Sequence, residues 1–391
     1  MRDILVLSPQ ERDLKAIAAA ELDRRNRVTF AGTDLDQLED FDPQAFLAEC
    51  EALPADAVLG TKDLSALLAA LLAERRSLPG PSPQALVACQ HKPTSRAIQA
   101  RVAPEATPAF APLEDSDPPF EPPFLVKPVV GRLSQNVYRI DDPADLRGVH
   151  ENDRYTTRYA EIAALAGADP ASVHGFLAEE LLSGLEVTLE GYVHGGRVTT
   201  IGVTDSVKYP GTLSFERFEY PSALPEERQA ELSDVAARVL PALAFNGGFF
   251  NVEFFVPEEG AAQIIEVNGR IASQFAPLVL ALHGRSTYDA LFELALGEDP
   301  GWKGGLPDGV AVSYVLRVFA DAFVEAVPDP DPDVEVLVRP GLYLSEQGTN
   351  DSQSYRLAIL YGVGETREEA VERCRARAQA LSFRLAPLPV R

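Results

Sequence analysis

The stretch Gln263-Ile-Ile-Glu-Val-Asn-Gly-Arg270 says most about the fold and chemistry of this chain of 391 residues. Its apolar residues predict a strand. The polar residues Glu266, Asn268 and Arg270 stand at every second position, so they share one face. A carboxylate, an amide oxygen and a guanidinium on one face are unsuited to a hydrophobic core. They suit a site for Mg²⁺ and phosphate, because hard cations prefer oxygen ligands and Arg binds phosphate oxygens in pairs.

A second carboxylate lies on an earlier segment. The run Gly248-Phe-Phe-Asn-Val-Glu-Phe-Phe-Val256 also predicts a strand, and it contains Glu253. If the two strands are neighbours, Glu253 and Glu266 reach one metal cluster. The residues alone support equally an outward Glu253 that is exposed to solvent, because side chains alternate between the faces of a strand.

The composition limits the class of protein. The net charge of −24 at pH 7 argues against a nucleic-acid groove and against binding to an anionic membrane surface. No apolar run is long enough to span a membrane, and the apolar block at residues 4–7 is expected to be a buried strand and not a signal peptide. The three cysteines are far apart without a CxxC motif. Neither a zinc site nor a disulfide is therefore indicated, and a reducing cytoplasm is expected.

The N-terminal quarter alternates strands with helices. The sequence predicts strands at residues 2–8, 28–30 and 57–59, and helices at 11–25 and 63–75. Such alternation is typical of a parallel, doubly wound sheet, so this part is predicted to form a Rossmann-like domain that ends near residue 90.

The rest of the chain mixes strands and helices in a less regular order. Further strands are predicted at 124–128, 176–182, 187–192, 197–203, 310–319, 334–338 and 355–361. Further helices are predicted at 155–166, 225–243, 287–296 and 367–381. The last helix has the signature of a capping box at its start, because Thr366 is followed three residues later by Glu369.

The order of five segments resembles the ATP-grasp superfamily, and most of all its branch of amino-acid ligases and biotin carboxylases. The segments are Lys92, Val126-Lys-Pro-Val-Val-Gly-Arg-Leu-Ser134, Glu179-Glu-Leu-Leu-Ser-Gly-Leu-Glu186, Gly248-Phe-Phe-Asn-Val-Glu253 and Ile265-Glu-Val-Asn-Gly-Arg270. The resemblance extends over roughly the whole chain and implies an α/β and α+β architecture with the ATP-grasp fold. The implied domains are a Rossmann-like domain at 1–90, an ATP-grasp domain at 91–300 and a small α+β domain at 301–391. In such a fold ATP is clamped between two subdomains, here with a hinge near 179–184.

For the phosphates of ATP, the resemblance implies two lysines and a loop. Lys92 and Lys127 would contact the α- and β-phosphates. Residues 131–134, from Gly131 to Ser134, would form a mobile loop over them. Taken singly, each lysine also fits a solvated position at the surface, and only its place in the series of segments favours ATP.

For the nucleoside, the resemblance implies contacts from the third segment. Glu180 and Leu182 would meet the adenine edge through backbone groups, with Glu179 beside them, and Glu186 would accept the ribose hydroxyls. Taken singly, Glu179 and Glu180 also fit an exposed pair, and Glu186 fits a strand residue that faces water.

For the metal, the resemblance implies two Mg²⁺ ions, with Mn²⁺ as an alternative. Glu253, Glu266 and Asn268 would hold them, and Glu266 would bridge. Arg270, Lys127 and Glu266 would be the catalytic residues, with Arg270 stabilising the transferring phosphoryl group or an acyl-phosphate.

Four further residues are expected to contact the substrates. They are Lys208, Tyr209, Ser273 and Gln274. The last two follow Arg270 where many amino-acid ligases have glycine-rich segments, which leaves the amine open.

The predicted function is that of a cytoplasmic, ADP-forming ligase that joins a carboxylate to an amine. Its expected partners are ATP, a small carboxylate and an amine, without nucleic acid or membrane, and the resemblance leaves a homodimer open. Two alternatives remain at this point. One is a biotin-carboxylase-like carboxylase subunit, and the other is a regulatory module that binds ATP without turnover.

Overall fold

The computed structural model describes most of the chain. The described residues are 1–35, 38–113, 120–132, 135–151, 153–303, 305, 307–331, 333–347 and 353–387, without the side chain of Asp153. Ser134, the end of the predicted phosphate loop, lies outside them. The chain forms two compact units. The first contains residues 1–202, 224–276 and 286–304, and the second contains residues 203–223, 277–285 and 305–391.

Strands and helices occur along the whole of the described chain. The strands are β1 (Asp3–Leu7), β2 (Arg27–Ala31), β3 (Ala57–Leu59), β4 (Phe110–Pro112), β5 (Phe124–Pro128), β6 (Tyr138–Ile140), β7 (Phe176–Glu180), β8 (Leu185–His194), β9 (Arg197–Lys208), β10 (Phe215–Tyr220), β11 (Gly248–Val256), β12 (Gln263–Asn268), β13 (Val310–Val318), β14 (Ala322–Ala326), β15 (Val334–Val336), β16 (Tyr355–Gly364) and β17 (Arg384–Pro387). The helices are α1 (Glu11–Ala19), α2 (Leu22–Arg25), α3 (Pro43–Glu51), α4 (Asp63–Arg75), α5 (Pro83–Gln90), α6 (Lys92–Val102), α7 (Asp153–Leu165), α8 (Glu226–Ala242), α9 (Ala276–His283), α10 (Thr287–Ala295) and α11 (Arg367–Ala380).

The first unit begins with the predicted parallel sheet. Its strand order is β2-β1-β3, and both strand pairs are parallel. Burial of apolar side chains stabilises it, because β1 contributes a fully buried run and α4 packs beside β3. The predicted continuous helix at 11–25 is wrong. Glu21 has a left-handed backbone (φ 52°), which separates α1 from α2 and lets Leu22 enter the core with 2 % exposure.

Two helices that the sequence analysis did not predict follow this sheet. Helix α5 begins after Ser82, whose hydroxyl accepts a hydrogen bond from the Ala85 N–H, and Pro83 stands in its first turn. Helix α6 begins at Lys92, directly after α5 ends. This start places the first predicted ATP-binding residue at the N-terminal end of a helix.

An antiparallel sheet of four strands comes next in the first unit. Its order is β4-β7-β5-β6, and Lys127 on β5 is paired with Leu177 on β7. The predicted strand at 176–182 is two residues too long, because β7 ends at Glu180. Leu182 therefore lies in the connection between β7 and β8, and not in the strand.

A second antiparallel set of strands carries most of the predicted site. In the first unit, β12, β11 and β8 are neighbours in that order, and the first half of β9 follows β8 as the predicted hairpin. Glu253 on β11 is directly opposite Glu266 on β12. A bulge follows on β12, because Phe254 is paired with Ile264 and Ile265 is left as the extra residue. The pairing confirms that these two strands are neighbours.

The second unit is an antiparallel sheet covered by a helix. The second half of β9 is followed by β10, β13, β16 and β15, and α11 packs on β13 and β16. Helix α11 begins as predicted after Thr366, whose hydroxyl accepts a hydrogen bond from the Glu369 N–H. The Glu369 carboxylate in turn accepts a hydrogen bond from the N–H of Glu365. Among the described residues, no helix is long and apolar enough to cross a membrane. The division into domains at residues 90 and 300 stays a prediction.

Candidate active site

Polar side chains cover one face of three neighbouring strands in the first unit. Glu190 on β8 is opposite Asn251 on β11, and Asn251 is opposite Asn268 on β12. Glu253 and Glu266 are opposite each other one step further along the same face. We call these five residues the polar face. The alternation that the sequence shows on β12 is therefore matched on β11 and β8.

Hydrogen bonds fix the amide and the guanidinium of this site. Asn268 Nδ2 donates to Asn251 Oδ1 at 3.0 Å and lies 3.5 Å from Glu253 Oε1. Arg270 Nη2 donates to Asn268 Oδ1 at 3.2 Å, and Arg270 Nε donates to Asp63 Oδ1 at 2.6 Å. Asp63, which the sequence analysis did not single out, is the first residue of α4 and stabilises the charged form of Arg270.

The charges at Glu253 indicate an environment suited to a cation. Burial raises the pKa of Glu253 well above its ordinary value, and the neighbouring carboxylates of Glu266 and Glu186 raise it further. A bound divalent cation would remove this repulsion. The described residues contain no group of three or more His, Cys, Asp or Glu that could hold a metal ion. The candidate donors are the two carboxylates and the Asn268 amide oxygen, which accepts from Arg270 Nη2 in this structure. Oxygen donors of this kind are the hard ligands that Mg²⁺ prefers.

Lys92 reaches the polar face from α6. Its ammonium lies 3.3 Å from Glu266 Oε1, and its side chain is 13 % exposed. A Cβ at Gly131 would lie 3.9 Å from Lys92 Nζ and 2.8 Å from Pro128 Cγ. The start of the predicted phosphate loop therefore approaches Lys92 closely at a position where a side chain would crowd Pro128.

Lys127 belongs to a buried ion-pair network. Its ammonium donates to Glu179 Oε2 at 2.7 Å, and Arg96 binds both oxygens of Glu179, at 2.8 and 3.1 Å. Arg96 Nη2 also donates to the carbonyl of Ile265, the bulge residue next to Glu266, at 2.7 Å. Glu179 is 1 % exposed, so the alternative of an exposed Glu179–Glu180 pair is wrong for Glu179. The network connects α6, β5, β7 and β12.

The same network gives Glu179 an unusual pKa. Burial acts to raise it, but the charges of Arg96 and Lys127 outweigh burial and lower the pKa of Glu179 to about 2. Burial lowers the pKa of Lys127, and Glu179 opposes that shift. The carboxylate is thus held ionised between two cations.

Stability should therefore depend on pH through Glu179. The folded pKa lies below that of an unfolded Glu, about 4.3, so this contribution is present above that pH and is lost as pH falls towards 2. We expect the free energy of unfolding to lose about 3 kcal/mol from this residue between pH 5 and the acid limit. Urea unfolding of the wild type and of Glu179→Gln at several pH values measures it. The variant should be less stable at pH 5 by about 3–5 kcal/mol, and the gap should narrow by about 3 kcal/mol in acid. A gap that is independent of pH would refute the assignment.

The residues predicted to contact the nucleoside lie at the end of β7 and the start of β8. The Glu180 N–H donates to the Ala109 carbonyl at 3.0 Å, and its side chain is exposed. Leu182 is partly exposed in the following connection. Glu186 is partly exposed on β8, near enough to Glu253 to affect its pKa. Their contacts with adenine and ribose stay a prediction.

The four residues predicted to contact substrates fall into two pairs. Ser273 and Gln274 form a turn just after Arg270, and Ser273 hydrogen bonds to Tyr288. Lys208 and Tyr209 belong to the second unit. There Lys208 lies over the ring of Phe215, and the Tyr209 hydroxyl donates to the Val315 carbonyl at 2.8 Å. Contact of these four residues with the substrates stays a prediction.

Sequence reasoning missed Arg96, Asp63, Asn251 and Glu190. Asn251 and Glu190 had a signal, because each continues a period-two series of polar residues on its strand: Asn251 with Glu253, and Glu190 with Glu186 and Thr188. Arg96 and Asp63 had no such signal in the sequence, because they reach the site from helices that are distant in sequence from β8, β11 and β12.

Comparison with known proteins supports the same fold. Residues 120–277 match the family model of the ATP-grasp domain. The structure of an L-amino acid ligase from Bacillus licheniformis superimposes with a TM-score of 0.80 over 98 % of both chains, at 19 % identity. A phosphoribosylglycinamide synthetase from Anaerococcus prevotii gives a TM-score of 0.69 over 98 % of this chain and 99 % of its own, at 14 % identity.

A third structure contains a nucleotide and a metal. It is the biotin carboxylase domain dimer of a Hydrogenobacter thermophilus 2-oxoglutarate carboxylase, in complex with ADP, its magnesium salt and bicarbonate. Its TM-score is 0.72 over 98 % of this chain and 91 % of its own, at 15 % identity. This chain therefore contains an ATP-grasp domain and has the ATP-grasp fold, which confirms the predicted superfamily and fold.

A protein relative is also similar in sequence. It is the uncharacterised protein y4rH of Sinorhizobium fredii (strain NBRC 101917 / NGR234), 25 % identical over 327 residues. The match covers 80 % of this chain and 64 % of the relative, so the chain spans somewhat less than two thirds of that protein's length.

Proposed function

We propose that this protein is an ATP-dependent ligase that joins a carboxylate to an amine through an acyl-phosphate, with release of ADP and phosphate. The observation that carries the proposal is the polar face itself. Glu253 and Glu266 are paired in register, Asn268 lies beside them, and Arg270 and Lys92 contact Asn268 and Glu266. Acidic oxygen donors for a metal and basic groups for phosphate thus meet on one face, as phosphoryl transfer requires.

Each group of this site has a definite task in such a reaction. Glu253, Glu266 and Asn268 would hold Mg²⁺, which when bound neutralises charge on the phosphates of ATP. Lys92 and Lys127 would bind the phosphates. Arg270 would stabilise the negative charge of the transferring phosphoryl group. In a chain of net charge −24, such local cations are needed to hold a polyanion.

Exclusion of water completes the proposal. An acyl-phosphate hydrolyses unless water is kept away, and a loop that closes over the phosphates would protect it. The loop that begins at Gly131 is proposed for this task, since Gly131 lies next to Lys92. A cytoplasmic location and a homodimer remain part of the proposal.

A screen of ADP release tests the function directly. The purified protein is incubated with ATP, Mg²⁺ and common amino acids or small carboxylates, singly and in pairs, and then with hydroxylamine as the trapping nucleophile. The proposal expects ADP release that depends on an organic acid, and a hydroxamate of that acid. ADP release that depends on bicarbonate and biotin would instead indicate a carboxylase. ATP binding without any ADP release would indicate a regulatory module.

The contribution of Lys92 can be measured with a matched lysine. We expect Lys92→Met to raise KM for ATP by about tenfold or more, because one phosphate contact is lost, which corresponds to about 1.4 kcal/mol. Lys15→Met removes the same charge from an exposed lysine that pairs with Glu11 on α1, and it should leave KM unchanged. Equal KM values for the two variants would remove Lys92 from the site.

A further inference from the structure

Arg96 on α6 connects the proposed metal site with the buried ion-pair network. Its side chain is 3 % exposed, and each nitrogen of its guanidinium donates a hydrogen bond. Nε and Nη2 bind the two oxygens of Glu179, at 2.8 and 3.1 Å, and Nη1 donates to Gln99 Oε1 at 2.6 Å. Nη2 also donates to the Ile265 carbonyl at 2.7 Å. The guanidinium is therefore held in one orientation, in which it reaches the bulge of β12.

The bulge is a point at which β12 is weakly held by its own sheet. Ile265 is the extra residue between the pairs Glu253–Glu266 and Phe254–Ile264, so the ladder is interrupted there. In the part of the sheet that the structure describes, β12 is also the edge strand. The Ile265 carbonyl lies in the same peptide plane as the Glu266 nitrogen, because a peptide bond is planar. A hydrogen bond to that carbonyl therefore restricts the direction in which the Glu266 side chain leaves the strand.

Helix α6 contacts the same part of β12 with a second side chain. Lys92 lies one helical turn before Arg96, so the two side chains share a face of α6. The Lys92 ammonium lies 3.3 Å from Glu266 Oε1. One helix face thus contacts two successive residues of β12, at the carbonyl of Ile265 and at the carboxylate of Glu266. The position of the Glu266 carboxylate depends on α6 as well as on its partner strand.

We propose that Arg96 is a positioning residue that sets Glu266 for metal binding, an assignment that rests on the proposed function. Arg96 acts through the peptide group between Ile265 and Glu266, and it contacts neither the metal nor ATP in this role. Lysine is a poor substitute for it. An ammonium keeps a positive charge beside Glu179 but lacks the planar fork that binds a carboxylate and a carbonyl together. Arg96→Lys therefore keeps the buried carboxylate paired and removes the restraint on the bulge.

Metal affinity in two backgrounds separates this role from a general structural one. Mn²⁺ is titrated with a non-hydrolysable ATP analogue present, and electron paramagnetic resonance follows free Mn²⁺, for wild type, Arg96→Lys, Glu266→Gln and the double variant. We expect Arg96→Lys to weaken Mn²⁺ binding by about 10- to 100-fold in the wild-type background. In the Glu266→Gln background the same change should weaken it by no more than about twofold, because the ligand that Arg96 positions is already lost.

A second arginine with similar partners provides the control. Arg367, the first residue of α11 in the second unit, binds the Glu219 carboxylate and donates to the Pro221 carbonyl at 2.8 Å. Arg367→Lys therefore also replaces an arginine that joins a carboxylate to a backbone carbonyl, and it should leave Mn²⁺ affinity unchanged. Thermal unfolding shows whether each variant is folded.

Equal losses of Mn²⁺ affinity in the two backgrounds overturn the role of Arg96, and so does wild-type affinity in Arg96→Lys or an equal loss in Arg367→Lys. Should Arg96→Lys not fold, Gln99→Met takes its place, because it removes the Arg96 Nη1 contact and leaves Glu179 paired. We then expect a loss of about threefold, and wild-type affinity overturns the proposal. If the wild type itself binds no Mn²⁺ with the analogue, the metal site of the proposed function fails and the role of Arg96 fails with it. If Glu266→Gln lowers the affinity and Arg96→Lys does not, the role of Arg96 alone fails.

Discussion

Glu266→Gln is expected to reduce ADP release by about 10³-fold or more while the protein stays folded. The substitution keeps the size of the side chain and removes one of the two carboxylates that face each other across β11 and β12. A metal ion held by two carboxylates and an amide loses much of its binding energy when either carboxylate charge is removed. Without the metal ion, the charge on the phosphates is no longer neutralised. Steady-state ADP release at saturating ATP and Mg²⁺ measures the effect.

The chain offers a matched control for this experiment. Glu259 is an exposed carboxylate in the turn between β11 and β12. Glu259→Gln changes the net charge by the same amount and is expected to release ADP at the wild-type rate. Thermal unfolding of both variants confirms that the comparison concerns folded protein. Turnover of Glu266→Gln close to that of Glu259→Gln would show that Glu266 has no part in metal binding.

Arg270→Met is expected to lower kcat by about 10²–10³-fold and to change the affinity for ATP much less. Arg270 stabilises charge that develops on the transferring group, so its loss is felt mainly in the transition state. Equilibrium binding of ATP and single-turnover ADP formation separate the two effects. A variant that loses ATP affinity and keeps kcat would show that Arg270 binds the ground state only.

Asp63 provides a graded comparison with Arg270. Asp63 Oδ1 accepts from Arg270 Nε at 2.6 Å, so Asp63→Asn should misplace the guanidinium and still leave it charged. We expect a loss of kcat of about tenfold, smaller than that of Arg270→Met. Arg373→Met removes an exposed arginine of α11 in the second unit and should leave kcat unchanged.

Much of the polar face was predictable because it follows from strand periodicity. Glu266 and Asn268 of the polar face stand at every second position, as does Arg270 just after β12, which assigns them to one side without knowledge of the partner strand. The pairing of β11 with β12 was only a hypothesis, because register depends on contacts between distant segments. The bulge at Ile265 could not be predicted, and Arg96 binds its carbonyl at 2.7 Å.

The buried ion pairs show where sequence reasoning ends. Glu179 and Glu180 are adjacent acids with the same appearance in the sequence, yet one is 1 % exposed and the other is exposed. The difference arises because Glu179 meets Arg96 and Lys127, which come from α6 and β5. Likewise the helix predicted at 11–25 failed at Glu21, whose left-handed backbone no helix propensity indicates.

Binding of a divalent cation by Glu253, Glu266 and Asn268 is the central claim, and Mn²⁺ titration tests it most directly. Electron paramagnetic resonance counts free and bound Mn²⁺ in the presence of a non-hydrolysable ATP analogue, for wild type and for the double variant Glu253→Gln, Glu266→Gln. We expect the wild type to bind Mn²⁺ with the nucleotide and the folded double variant to bind it at least about tenfold more weakly. Equal Mn²⁺ affinity in the two proteins would contradict the proposed site.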